Sequence, residues 1–170
     1  GRQREAAPIA PVEKNMVRID AGAILFGVEY RVVNEAVVSA YLGAEGRAVA
    51  NVVQAALEER AMSLKELQDQ GVSIHVFNRQ TLEEHLRFDI FGEDPHYHYI
   101  APGGRQVVVD WDDVADPDFR GWVLERLRTR MRAMLEHAGA TGLAQRIDQA
   151  SIDAALRKVQ DAVDIAADNR

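Results

Sequence analysis

The sequence predicts an α+β fold in which a mainly antiparallel sheet of four to six strands is covered on one face by helices. Between residues 72 and 109, short runs of alternating apolar and polar residues are separated by turns, as in antiparallel neighbours. After residue 116, apolar residues recur at spacings of three and four, which indicates amphipathic helices. Because strands and helices are segregated along the chain, a helix layer on one sheet face is the natural packing. The opposite face is then expected to be open to solvent or to a partner.

The first part of the chain is predicted to contain a flexible arm, two strands and then helices. Residues 1–15 show no periodicity, whereas residues 16–168 are predicted to form a single domain. In the run that begins at Ile24, alternate residues are apolar, and Glu29 and Arg31 fall on the other face. The predicted elements are a strand at 16–20, a strand at 24–32, a helix that Asn34 caps and that ends at 42, a helix at 47–62, and a last helical segment that Ser63 caps and Gly71 ends.

The second part of the chain is predicted to continue as a meander of strands that is followed by helices. The predicted strands are 72–77, 84–91, 96–101 and 106–111. One long helix is predicted from Asp116 or Asp118 to a stop at Gly139. A short segment at 143–147 follows, and Ser151 is predicted to cap the last helix.

The composition excludes several kinds of site and partner. The 170-residue chain has no cysteine, which excludes disulfides, thiolate metal sites and a cysteine nucleophile. Its formal net charge of −7 disfavours nucleic acid as a partner, because such binding depends on neutralising phosphates. No stretch reaches the ~18 apolar residues of a membrane span, and the N-terminal residues lack an apolar signal core. We therefore expect a cytoplasmic protein that does not associate with a membrane.

The most informative stretch runs from Phe88 to Tyr99 and contains two histidines, two tyrosines and three carboxylates around a Gly/Pro turn. Because successive strand residues point to opposite faces, His96 and His98 must project together. In the register that buries the tyrosines, both histidines lie near Asp89. Two imidazoles and one carboxylate are a ligand set for zinc, iron or manganese, and open coordination positions on such an ion can activate water. His96, His98 and Asp89 are therefore a candidate metal site.

Two further interpretations of this stretch remain open. A histidine that Asp89 orients could perform acid–base chemistry. The aromatic residues also suggest a recognition surface, whose predicted members are Arg87, Tyr97, Tyr99 and Asp110. Because no complete catalytic motif is present, we expect first a binding or interaction module that forms a homodimer or binds a protein partner. The alternative is a metal-dependent hydrolase or nuclease-like enzyme that uses His96 and His98 with Asp89.

Three segments carry a resemblance to a known family. They are Leu25 to Glu35, Leu86 to Tyr99 with its P-H-Y-H-Y string, and Glu125 to Arg128. From about residue 16 to 165, the chain resembles a family of small bacterial proteins that carry a domain of unknown function. The resemblance implies a standalone bacterial protein and no particular activity. A weaker similarity, to the toxins of toxin–antitoxin pairs, rests on the histidine string after a proline and gives a second alternative function.

Overall fold

The computed structural model describes residues 3–5, 15–34 and 68–168. Within these ranges, the strands are β1 (Gln3–Glu5), β2 (Met16–Ala21), β3 (Ile24–Asn34), β4 (Gln68–Asn78), β5 (Glu84–Phe91), β6 (His96–Ile100) and β7 (Gln106–Asp110). The helices are α1 (Phe119–Thr129), α2 (Met131–His137), α3 (Thr141–Arg146) and α4 (Gln149–Asp168). The helix predicted at 47–62 lies outside the described residues, as does the one predicted after Asn34, which itself ends β3.

The described strands form one antiparallel sheet in the order β1-β7-β6-β5-β4-β3-β2. Each of the strands β2 to β6 pairs with the next described strand along the chain, so these strands and β7 form a six-stranded meander. A seventh strand, β1, comes from the segment predicted to be an arm and pairs with β7 at the edge. The predicted α+β class, with helices on an antiparallel sheet, is confirmed.

The hydrophobic core lies between the sheet and the described helices. Strand alternation places Val28, Ile74 and Phe88 in aligned positions on the face that the described helices cover. The helices oppose them with almost fully buried apolar residues: Val123, Leu127, Met131, Leu135, Ile152 and Val159. Full burial of each such side chain stabilises the fold by ~1.5–3 kcal/mol. The apolar face of the sheet is therefore the one that packs against the helix layer. None of the described helices is long and apolar enough to cross a membrane.

The predicted helix end at Gly71 is wrong, because Gly71 lies inside β4. It is aligned with Arg31 of β3 on one side and with Phe91 of β5 on the other. A Cβ atom at this position would lie 2.3 Å from the carbonyl oxygen of Ile90. Glycine is therefore required here by the close approach of two strands, which the sequence pattern cannot distinguish from a helix stop.

Two helix predictions also need correction. The single long helix is divided at Arg130, whose φ of −126° leaves the helical region. The Thr129 hydroxyl just before it donates to the Glu125 carbonyl at 2.8 Å, a contact that bends helices. The last helix is capped by Asp148 rather than by Ser151, because the Asp148 carboxylate accepts from the Ser151 amide at 3.1 Å.

The expectation that the other sheet face is open is wrong for the centre of that face. Here a group of polar residues is at most 3% exposed: Glu29, Ser73, His75, Arg87, Asp89 and His98. We call this surface of the sheet, together with Glu84 and His96, the polar face. Burying charged groups is costly unless they are paired and hydrogen-bonded. The pairing of these side chains therefore decides what the polar face can do.

Candidate functional site

Strand register brings the predicted site residues into neighbouring positions on the polar face. His96 of β6 is aligned with Asp89 of β5, and His98 is aligned with Arg87. On the other side of β6, His96 is aligned with Asp110 of β7. Phe88 is aligned with Tyr97, and all five residues alternate with that pair, so they share the face away from the described helices. The register expected from the buried tyrosines is the one that the structure has.

The β5–β6 turn fixes the orientation of the His96 ring. Its Nδ1 atom lies 2.7 Å from the Asp94 carbonyl oxygen, and the ring meets the edge of Phe91 at 5.8 Å between centroids. A carbonyl oxygen only accepts, so Nδ1 of His96 carries the hydrogen of this bond. The Nε2 atom is then directed away from the turn and toward Asp89.

Asp89, His96 and His98 form a compact group, which we call the Asp89 cluster. The Asp89 Oδ2 atom lies 2.8 Å from Nε2 of His96 and 3.0 Å from Nε2 of His98. Its other oxygen, Oδ1, accepts a hydrogen bond from the Ser73 hydroxyl. Each of the three residues offers one potential ligand atom, and these three atoms lie within 4.8 Å of one another. All three residues are strongly buried. The two histidines and the carboxylate predicted as metal ligands are thus brought together.

The three members of the Asp89 cluster have different protonation behaviour. Burial would lower the pKa of His96, but the Asp89 carboxylate raises it overall. Burial lowers the pKa of His98 to about 4, and the hydrogen bond to Asp89 opposes this only in part. Burial would raise the pKa of Asp89, yet its two histidine partners hold it well below the ordinary value. At neutral pH Asp89 is therefore a carboxylate and His98 is neutral, and the Asp89 carboxylate shifts the pKa of His96 upward.

The neutral His98 ring leaves one nitrogen without a partner. Its single N–H is used by Nε2, which donates to Asp89. Nδ1 is buried and has no hydrogen-bond partner in the described part of the chain. Such orphan groups cost ~1–3 kcal/mol and are few in native proteins.

A second polar group, the Glu84 cluster, adjoins the first and consists of Glu29, His75, Glu84 and Arg87. Nε2 of His75 lies 2.7 Å from Oε1 of Glu29, and Nδ1 of the same ring contacts Oε2 of Glu84. The Arg87 guanidinium donates from Nε and Nη2 to the two oxygens of Glu84, at 2.9 and 2.5 Å. This two-point pairing is the geometry that a planar guanidinium favours. The charges of the Glu84 cluster are therefore satisfied within the sheet.

Comparison with known protein families matches residues 18–163 to the family described as Domain of unknown function (DUF7700). The chain belongs to the DUF7700 family. This confirms the resemblance to a family with a domain of unknown function. Comparison with the curated proteins and with the solved structures finds no match. Because the family description names no activity, a function for this DUF7700 chain has to be argued from its polar face.

The four residues predicted to form a recognition surface of the DUF7700 chain lie on two faces of the sheet. Arg87 is buried against Glu84, and Asp110 lies on the same face, near the sheet edge. Tyr97 and Tyr99 lie on the opposite face, where they pack under the helices. The Tyr97 ring is 5.4 Å from Trp122, and the Tyr99 ring is 4.5 Å from His137. Burial, and then the neighbouring Tyr99, raise the pKa of Tyr97 to about 12, so its hydroxyl stays protonated.

Sequence reasoning placed Glu29 opposite the apolar residues of its strand but did not include Glu29, Ser73 or Glu84 in the candidate site. A usable pattern was present for two of them. Glu29 has the parity opposite to the apolar residues of β3, and Ser73 has the same parity as His75 on β4. Glu84 could not have been placed, because the β4–β5 pairing shifts between Val76 and Phe77 and changes the parity of β5 there.

The buried Glu84 predicts a loss of stability in acid. Burial alone would raise the pKa of Glu84, but hydrogen bonds and charge from His75 and Arg87 lower it to about 2. A carboxylate whose folded pKa is depressed stabilises the fold above its ordinary pKa, and this contribution is lost as the pH falls toward the folded value. We expect Glu84 to contribute about 3 kcal/mol that disappears between roughly pH 4.5 and pH 2.

Urea unfolding of wild type and Glu84→Gln across this pH range measures the effect. The difference between their free energies of unfolding should narrow by about 3 kcal/mol from pH 6 to pH 2. Glu83→Gln is the matched control, because the Glu83 side chain is 42% exposed; it lies 3.4 Å from His85 and accepts a hydrogen bond from the Gly103 amide at 3.1 Å. A pH-independent difference between wild type and Glu84→Gln would contradict the prediction.

Proposed function

We propose that this protein binds a divalent transition-metal ion through His96, His98 and Asp89. The observation that carries the proposal is the convergence of two imidazole Nε2 atoms on one carboxylate oxygen, at 2.8 and 3.0 Å, in a buried position. Ligands of one ion at ~2.1 Å are about 3.0–3.4 Å from each other in octahedral or tetrahedral geometry. The two nitrogen-to-oxygen distances are therefore close to the spacing that one ion imposes, and the ligand atoms of all three side chains lie within 4.8 Å of one another.

The surroundings of the Asp89 cluster also support a metal site. Histidine ligands usually donate their second N–H to a carbonyl or a carboxylate, which holds the ring in place. His96 has such an acceptor in the Asp94 carbonyl, and the Asp89 carboxylate is held by the Ser73 hydroxyl, which donates to it. In addition, His98 is neutral at pH 7, and the neutral imidazole is the form that ligates metals.

The chemistry that this ligand set supports is hydrolysis. Three protein ligands leave coordination positions for water, and a divalent ion, when bound, would supply a water molecule of lowered pKa. The chain itself holds the two rings and the carboxylate in position and limits access of bulk water, since His96, at 12% side-chain exposure, is the most exposed ligand. A metal-dependent hydrolase is accordingly the enzyme class that we propose.

The interaction module has less support than the metal site. That hypothesis requires Arg87, Tyr97 and Tyr99 to be available on one surface, whereas Arg87 is buried and the tyrosines pack under helices. The observations therefore favour a buried centre over a recognition surface on the sheet.

Metal content and affinity test the proposal directly. We expect untagged protein to bind one equivalent of Zn²⁺, Mn²⁺ or Fe²⁺, measured by elemental analysis and by titration of metal-free protein. In the His96→Ala/His98→Ala variant, affinity should fall by at least ~100-fold, because the loss of a ligand exceeds the 10–100-fold cost of losing an outer partner.

The matched control is His137→Ala, which removes a histidine from the exposed end of α2 and leaves the cluster intact. Circular dichroism of both variants shows whether each is folded. The proposal fails if folded wild-type protein takes up none of the three ions, or if the double variant binds them as tightly as wild type.

A further inference from the structure

Strand β2 forms an edge of the sheet. It pairs with β3 on one side, and no described strand adjoins its other side. Val17 is 54% exposed and Arg18 is exposed as well, although Ile19 and Ala21 of the same strand are buried in the core. An edge strand presents backbone N–H and C=O groups that can pair with a strand of another chain.

The sequence of β2 is complementary to itself in one antiparallel register. If two copies of β2 are aligned around Ile19, Arg18 of each copy lies opposite the partner's Asp20. Registers centred on Arg18 or on Asp20 would place like charges opposite each other, which is destabilising. Asp20 contacts Arg79 of its own chain at 3.1 Å, but its side chain is 64% exposed and can accept further hydrogen bonds. Because aligned residues share a face, this register keeps both helix layers on one side of the joined sheet.

The flank of α4 on the β2 side carries a second complementary pattern. Helix α4 packs over β2 and β3, whereas its neighbour α1 packs over β5, nearer the centre of the sheet. Asp164 of α4 pairs with Arg120 of α1, which identifies the flank that faces inward. A rotation of about 100° per residue then places four exposed residues on the opposite flank, toward the β2 edge. They are Ala154, Lys158, Asp161 and Ile165.

The position of α4 lets two such flanks meet when β2 pairs with a second β2. With ~4.8 Å between strands and each helix over β2 and β3, the two helix axes lie ~10 Å apart, within the usual packing range. The start of α4 is level with Gly22, where a Cβ atom would lie 3.5 Å from Ser151. Ile19 is ~10 Å further along β2, which corresponds to about seven helix residues and therefore to Lys158.

We infer that the β2 edge and this flank of α4 join two copies of the chain in a symmetric dimer. Around the level of Ile19, the antiparallel flanks bring Lys158 of each copy opposite the partner's Asp161. The same arrangement brings Ala154 opposite the partner's Ile165, which is 62% exposed in the single chain. The occupant of this edge is a second copy, because opposite charges and apolar side chains match in both layers under one two-fold axis.

Charge variants on α4 test the dimer. Light scattering of wild type should give twice the chain mass of 18.9 kDa at high concentration, with a decline toward one chain on dilution. Lys158→Asp and Asp161→Lys should each raise the dissociation constant ~10-fold or more, because each makes two attractive contacts repulsive. An equimolar mixture of the two variants should form mixed dimers in preference to either symmetric one, measured by native mass spectrometry. Mixed dimers would also show that both variants are folded.

A control on the other flank and hydrogen exchange in β2 complete the test. Asp153→Lys is the matched control for Asp161→Lys, because Asp153 is exposed on the α1 side, where Gln149 donates both to it and to the Arg128 carbonyl of α1. This control should leave the dissociation constant unchanged. Amides of β2 should exchange more slowly in the dimer than after dilution. A monomer at every concentration, a dimer that the charge variants do not weaken, or β2 exchange that is independent of concentration would overturn the inference.

Discussion

Replacing Arg87 by methionine is expected to lower the free energy of unfolding by about 3–5 kcal/mol, the usual cost of breaking a buried ion pair from one side. Arg87 is 2% exposed and satisfies both oxygens of Glu84. Methionine fills much of the same volume but leaves the Glu84 carboxylate without the guanidinium that pairs with both of its oxygens. Urea unfolding at pH 7 measures the loss.

Two companion variants show whether the loss arises from the unpaired charge. Arg87→Met/Glu84→Gln removes both charges and should recover a substantial part of the lost stability, which a double-mutant cycle quantifies. Arg126→Met is the matched control, because Arg126 lies 5.4 Å over the Trp122 ring at an accessible position, where such a contact contributes ~0.5–1 kcal/mol. Equal losses for Arg87→Met and Arg126→Met would show that the buried pair is not a major stabilising element.

The Glu84 cluster also affects the candidate metal ligands. Arg87 is aligned with His98 across β5 and β6. Burial is the main cause of the low pKa of His98, and the positive charges of His96 and Arg87 act in the same direction. A buried guanidinium beside His98 thus helps to keep that imidazole neutral and able to ligate an ion. Apolar side chains would stabilise this face at a lower desolvation cost than the buried charges do. The Glu84 cluster nevertheless supports the chemistry of the Asp89 cluster, because Arg87 helps to keep His98 neutral.

Strand alternation made much of the sheet predictable from the sequence. The run from Leu86 to Ile90 alternates cleanly, and the Gly92 to Pro95 turn is short, so both the bounds of β5 and its pairing with β6 follow. The same reasoning placed His96 and His98 beside Asp89. Here local pattern and tertiary structure agree, because a hairpin with a short turn has few alternative registers.

Depth below the surface could not be predicted in the same way. Alternation shows which residues share a face of the sheet. However, the alternating pattern around Glu29 and His75 is the same whether that face is exposed to solvent or buried. Their burial depends on partners from other strands, such as Glu84 at the shifted β4–β5 pairing. The predictions of an unbroken helix through Arg130 and of a helix end at Gly71 were wrong for a related reason. Each depends on a contact between backbone and a neighbour that periodicity does not encode.

Asp89→Asn is expected to abolish most of the metal-dependent stabilisation of the fold. An ion that binds only the folded chain stabilises it by about 4 kcal/mol at a free concentration of 1,000 times the dissociation constant. Asparagine keeps the shape of Asp89 but removes the charge that two imidazoles and the ion would share. At the same ion concentration we expect the stabilisation to fall below ~1 kcal/mol, measured as the difference in unfolding free energy with and without the ion.

The comparison with Asp110→Asn separates ligation from a general effect of charge. Asp110 is aligned with His96 from the other side but is not part of the Asp89 cluster. Its variant should therefore retain nearly all of the metal-dependent stabilisation, although the charge change is identical. Measuring each variant against its own metal-free form cancels any structural damage, so a lost hydrogen bond alone cannot produce the expected result. If both variants lose the stabilisation equally, the carboxylate of Asp89 acts only through the electrostatic potential of the polar face. If neither loses it, Asp89 is not a ligand and the ion is held elsewhere.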